Sequence, residues 1–135
     1  DRLVGSEMCI RDSLQIAHRE KGRPWDWGKA FDHSAPLSPL IPLADIPKAQ
    51  AEFNTGRIWL SVNGELRQDA DLSELIWSVE DIIAFCSQSV RLQAGDLIFT
   101  GTPAGVSAVG PGDSLSGGVD GLGEIQITLG EREAV

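Results

Sequence analysis

Thr102 is the side chain whose setting most suggests chemistry. It lies in Gly95-Asp96-Leu97-Ile98-Phe99-Thr100-Gly101-Thr102-Pro103-Ala104-Gly105-Val106. Leu97–Thr100 is short, apolar and β-prone, so it reads as a buried strand. Two glycines and a proline in the next five residues cannot continue that strand. They allow tight turns, positive φ and close approach of backbone to a ligand. A hydroxyl and several backbone amides, those of Gly101 and Thr102 among them, are thereby presented at a strand's end, a common place for a site. The alternative is a plain turn between two strands, since turn chemistry alone implies no function.

Lys29 is the second candidate. It follows Gly28 in a loop dense in aromatic, glycine and charged residues, beside Trp27 and Phe31. A partly buried ammonium group loses pKa or finds an anion; the alternative is a solvated surface lysine. His18 reads as a helix-surface residue and His33 as a loop residue, neither as a general base. Cys86 reads as a small core residue on a helix, not a nucleophile.

These residues must be positioned by a rather small chain. Its 135 residues suffice for one domain with a real core. Fifteen glycines and seven prolines imply many turns and a β-rich fold. The net charge of −9 argues against nucleic acid and anionic membrane surfaces, which need basic patches. Two cysteines in no pattern fit reduced thiols and a cytoplasmic protein. No apolar run reaches the length of a membrane span.

Residues 1–13 show neither strand alternation nor a helical stripe and read as a non-native or disordered leader, leaving 14–135 as the domain. Leu14–Lys21 predicts a two-turn helix ended by Gly22. Leu40-Ile41-Pro42-Leu43 predicts a short edge strand, followed by a turn at Ala44–Pro47. Gly56–Val62 alternates and predicts a strand with Ile58, Leu60 and Val62 on one face. Asn63-Gly64 is a strong hairpin signal, and Glu65–Asp69 returns antiparallel, with Trp59 paired across. Ser78–Asp81 resembles a capping box and opens a helix over Glu80–Ser89 with Ile82, Ile83, Phe85 and Cys86 as its apolar stripe. Turns at Leu92–Asp96, Gly110–Leu115 and Asp120–Gly123 precede a last strand, Glu124–Leu129.

Three segments together resemble the fumarylacetoacetate hydrolase family, nearest its acylpyruvate and fumarylpyruvate hydrolase branch. They are Pro24-Trp25-Asp26-Trp27-Gly28-Lys29-Ala30-Phe31-Asp32, Val62-Asn63-Gly64-Glu65-Leu66-Arg67-Gln68 and Gly95–Val106, within a match from about Leu14 to Leu129. The resemblance implies an α+β, mixed, β-dominated fold, here N-terminally truncated, and a homodimer. It implies Mg²⁺ or Mn²⁺ in the full-length family member, held by three carboxylates. The expected reaction is hydrolysis of a C–C bond in a 1,3-diketo acid through a metal-bound enolate. Lys29 matches the family's oxyanion-facing lysine, Gln15 its glutamine nine residues before Pro24, and Thr102 the loop threonine that binds substrate carboxylate.

Departures from the family pattern shape a further expectation. The family's third ligand, an aspartate, should stand seven residues before Gln15, where this chain has Met8. Arg11-Asp12 mimics that motif out of register, and the other ligands and the His/Glu pair precede the matching part. This chain alone is therefore expected to hold no metal and to be inactive. A non-catalytic binding remnant and a decarboxylation or isomerisation of oxaloacetate type are the alternative readings. Expected partners are a small diketo acid and a second subunit, with no nucleic acid and no membrane.

Overall fold

The computed structural model describes residues 20–24, 34–46, 54–107 and 109–131. Their centre is a four-stranded antiparallel sheet of β1 (Arg57–Val62), β2 (Glu65–Asp71), β3 (Ser114–Val119) and β4 (Gly123–Thr128), in the order β2-β1-β3-β4. One helix, α1 (Val79–Ser89), lies between β2 and β3 in the chain.

The β1–β2 hairpin forms as its sequence predicts. Asn63 and Gly64 take φ of 52° and 81°, the pair of left-handed residues that matches strand twist in a two-residue turn. Asn63 also ties the turn to β3: its Nδ2 donates to Asp113 Oδ1 at 2.8 Å, and its Oδ1 accepts from the Ser114 amide at 2.9 Å. Trp59 pairs with Asp69 across the hairpin, and Arg57 pairs with Asp71.

Register shows how the two faces are assigned. The rows Val62–Leu115–Ile127 and Leu60–Gly117–Ile125 run across β1, β3 and β4 on one face. Val62, Leu115, Val109 and Leu129 form the buried core there, with Leu60 and Ile127 packed against it. Between β1 and β2 the pairing slips by one residue: Ser61 faces Leu66, but Leu60 faces Gln68. Arg67 is the extra residue of a β-bulge on β2. Without it, the tight turn would set Arg67 opposite Leu60 and turn Gln68 to the outer face. With it, Gln68 joins the apolar face and is 5% exposed.

Three expectations need correcting. Leu97–Thr100 is not a buried strand. Among the described residues no strand pairs with it, so it lacks a ladder, and Leu97 and Phe99 are exposed. Leu40–Leu43 is not a strand either. Pro36, Pro39 and Pro42 withhold a backbone donor at every third position, and Leu43–Asp45 closes as a 3₁₀ turn after Pro42 at φ −58°. Cys86 is half-buried rather than a core residue, because α1 buries none of its side chains among the described residues.

α1 owes its start to Ser78, whose Oγ accepts from the Asp81 amide at 3.1 Å. The Asp81 carboxylate meets the Ser78 hydroxyl at 2.9 Å and not its backbone, so the box is only half closed. The complete capping box is at Asp71–Glu74. There Asp71 accepts from the Ser73 amide and Glu74 accepts from the Asp71 amide. Trp77 stacks edge-to-face on Phe85, centroids 5.1 Å apart, and fixes the approach to α1.

Candidate active site

The loop Gly101–Gly105 is held against the apolar face of the sheet by two devices. The first is Gln68, whose Nε2 donates to Thr102 Oγ1 at 2.8 Å and to the Pro103 carbonyl at 2.7 Å. The Pro103 oxygen can only accept, so the amide nitrogen must be the group that faces it. Thr102 Oγ1 is therefore an acceptor toward Gln68, and its own hydrogen is left to donate elsewhere. The second device is Gly105, at φ +102°, where a Cβ would collide with the carbonyl oxygen of Arg67 at the bulge. Only glycine lets the loop lie this close.

Thr102 and Pro103 form a wall common to two cavities. One, of about 570 Å³, lies between the loop and the segment from Ala70 to Trp77. Leu72, Leu75, Ile76 and Trp77 give it an apolar side. The other, of about 340 Å³, runs over Trp59, Leu60 and the glycines of β3. Gly101 stands at the mouth of the larger one at φ +108°, with nothing within 4 Å of where a Cβ would be. Gly101 is exposed there.

Three aspartates of the sheet and its turns are already engaged. Asp71 Oδ2 accepts from the Gly56 amide at 3.1 Å and its Oδ1 from Ser73. The Ser73 hydrogen bonds, ahead of that from Gly56, hold its carboxyl below the ordinary aspartate range. Asp113 is lowered too, first by the Gly110 amide at 2.7 Å and then by Asn63. Asp69 is lowered by its two hydrogen bonds from Arg57 on the exposed side. Among the described residues no three His, Cys, Asp or Glu side chains converge on a point where a metal could be held. The described residues thus do not fit a three-carboxylate metal site.

Of the sequence-predicted site residues, Thr102 and Gly101 stand together on the cavity wall. Lys29 and Gln15 lie outside the described residues, as do His18, His33 and Met8. Sequence reasoning gave no role to Gln68. Leu66-Arg67-Gln68 ends one of the three segments that resemble the family, but nothing in it signals a bulge, and a regular register turns Gln68 to solvent. The Asp71-Leu72-Ser73-Glu74 box is absent from the sequence expectations, although its signal, an aspartate followed three residues later by a glutamate, is present in the chain.

The chain belongs to the fumarylacetoacetate hydrolase family: residues 3–129 match the family model described as "Fumarylacetoacetate (FAA) hydrolase C-terminal". It is 44% identical over 130 residues to a fumarylpyruvate hydrolase of Ralstonia sp, covering 96% of this chain and 65% of that protein. It is 41% identical over 126 residues to the mitochondrial oxaloacetate tautomerase FAHD1 of Rattus norvegicus, covering 90% of this chain and 55% of that one. Among solved structures it resembles the fumarylpyruvate hydrolase of Pseudomonas aeruginosa in complex with Mn²⁺ and pyruvate. The TM-score is 0.83 at 44% identity, covering 91% of this chain and 51% of that one. The chain thus spans between about half and just under two thirds of the length of these relatives.

Proposed function

We propose that this chain forms the carboxylate-anchoring part of an enzyme that cleaves a C–C bond in a 1,3-diketo acid of acylpyruvate or fumarylpyruvate type. The observation that carries the reading is the Thr102 hydroxyl, held by Gln68 so that its proton is free to donate at the mouth of an apolar-sided cavity. A 2-oxo acid has the matching features: a carboxylate to accept that proton and a carbon chain for the wall of Leu72, Leu75 and Trp77. The pyruvate bound by the Pseudomonas relative supports the same class.

In this reading Thr102 and the Gly101 backbone bind and orient the carboxylate. Lys29 faces the oxygen that gains charge as the bond breaks, and Gln15 assists there; both roles come from the family resemblance. Hydrolysis adds water across the bond, so one product leaves as a carboxylic acid and the other as the enolate of a 2-oxo acid, which then takes up a proton. A divalent ion such as Mn²⁺ or Mg²⁺ belongs to the proposal for the protein as encoded by its gene, supported by the Mn²⁺ in the relative. So do a cytoplasmic setting and a homodimer. Among the described residues, no helix is long and apolar enough to cross a membrane.

Tautomerisation of oxaloacetate is the second reading, favoured by the Rattus relative at 41% identity. It uses the same anchor, since oxaloacetate is also a 2-oxo acid whose enol is the reactive form. The test is Thr102→Val in the protein as encoded, with fumarylpyruvate cleavage followed by loss of enol absorbance and oxaloacetate tautomerisation assayed alongside. A hydrogen bond to a charged group contributes about 1.5–3 kcal/mol, so KM should rise about 10- to 150-fold with kcat nearly kept. An unchanged KM toward both substrates refutes the anchor.

A further inference from the structure

We infer that Gln68 is a positioning residue: it sets the direction in which the Thr102 hydroxyl donates, and the bulge at Arg67 is what aims it inward. The inference rests on the reading of Thr102 as carboxylate anchor. A threonine hydroxyl has one proton and two lone pairs, and its rotor takes whichever partner the surroundings offer. An isolated hydroxyl at a loop tip can give its proton to a neighbouring carbonyl and then has none for a ligand. Here the nearest buried partner is a carboxamide presenting N–H, and that nitrogen is fixed in place by a second acceptor, the Pro103 carbonyl, on the same loop. Both bonds are made by a side chain that is 5% exposed, so solvent has little access to the Gln68 end of them.

The backbone supports the same conclusion independently. The Asn63-Gly64 turn sets Val62 opposite Glu65 and Ser61 opposite Leu66. Continued regularly, that register puts the Arg67 side chain on the face that meets the loop, and Gln68 outside. The one-residue bulge exchanges them: Arg67 turns out to pair with Glu65 at 3.0 Å, and Gln68 turns in. Bulges recur beside functional sites because they re-aim a single side chain in this way. The carbonyl of the bulged Arg67 is also the group that Gly105 approaches, so the loop is registered on the residue that creates the exchange.

The experiment is a double-mutant cycle on the protein as encoded, reading pyruvate affinity by competition against fumarylpyruvate cleavage, together with KM, kcat and the melting temperature. The variants are Thr102→Val, Gln68→Met, their combination, and Gln68→Glu. Gln68→Met keeps volume and removes the donor. It should weaken pyruvate binding in the same direction as Thr102→Val with kcat nearly kept, and the combined variant should bind like Thr102→Val alone. Gln68→Glu keeps shape but accepts the Thr102 proton, so it should weaken pyruvate binding more than Gln68→Met. It also serves as the readout if Gln68→Met does not fold. Should Thr102→Val leave pyruvate affinity unchanged, the anchor reading and this inference fall together. Should Thr102→Val weaken binding while the Gln68 variants bind normally, or add their loss to that of Thr102→Val, the inference alone is overturned and Gln68 is only a structural tie.

Discussion

Replacing Gly105 with alanine tests the seating of the loop more sharply than any change at its tip. Two glycines with nearly the same φ serve as a matched pair: Gly105 at +102° and Gly95 at +98°. An L-residue in such a conformation costs about 1–3 kcal/mol wherever it occurs. At Gly95 nothing lies within 4 Å of a new Cβ, so that strain is the whole effect. At Gly105 the Cβ also runs into the Arg67 carbonyl, and backbone cannot rotate aside as a side chain can. The loop must lift, and the two bonds from Gln68 to Thr102 and Pro103 are lost with it. Leaving the buried Gln68 amide unpaired adds about 1–3 kcal/mol. Gly105→Ala should therefore melt below Gly95→Ala by about 2 kcal/mol, or roughly 8 °C for a domain of this size. It should also weaken pyruvate binding, whereas Gly95→Ala should not. Melting and pyruvate competition on the two variants decide it. Equal melting temperatures and equal affinities would show that the loop does not rest on the bulge.

Two further outcomes follow from local geometry. Ser78→Ala removes the acceptor of the Asp81 amide and should destabilise the first turn of α1 by about 1 kcal/mol, seen as faster amide exchange there than in β1. Asp69, Asp71 and Asp113 all have carboxyl pKa values lowered by folding, so the stability they give is complete above the unfolded aspartate value, near 4. It is lost as pH falls through their lower folded values. Urea unfolding below about pH 4 should lose stability, and Asp113→Asn should make that loss shallower by removing one titrating group. An unchanged acid slope would contradict the hydrogen bonds from Gly110 and Asn63.

Local signals were read correctly where the local chemistry decides the outcome. Asn63-Gly64 dictates its turn because few residues tolerate φ above zero, and Ser78 dictates a helix start because it supplies an acceptor to orphan amides. The alternation of Ile58, Leu60 and Val62 marks the core face in the sequence itself. What failed depended on partners. Leu97–Thr100 has strand composition, but a strand is defined by the ladder beside it, and no described strand stands there. The apolar residues of α1 predict a buried stripe, yet burial depends on what is packed opposite. At the candidate site, glycine and proline placement made the turn at Gly101–Gly105 legible, and the structure puts Gly101 and Thr102 of that turn on a cavity wall. Gln68 was not legible, because a single inserted residue in β2 reverses which side chains face inward without altering composition or period.

The sheet is two hairpins joined along one seam. β1–β2 and β3–β4 each close over a few residues, but β1 and β3 meet only when Asn63 reaches Ser114, 51 positions away. Hairpins of this kind form in about 1–10 μs, whereas the seam must wait for the long excursion between them to close. That excursion contains α1, the cavity wall from Leu72 to Trp77 and the Thr102 loop. Closure entropy rises only by about 0.6 kcal/mol for each doubling of loop length. Lineages can therefore lengthen, shorten or rewrite the excursion, and with it the shape of the cavity, while both hairpins and their seam continue to fold. The two bonds of Asn63 and the tie from Gln68 are the stitches that such rewriting has to respect.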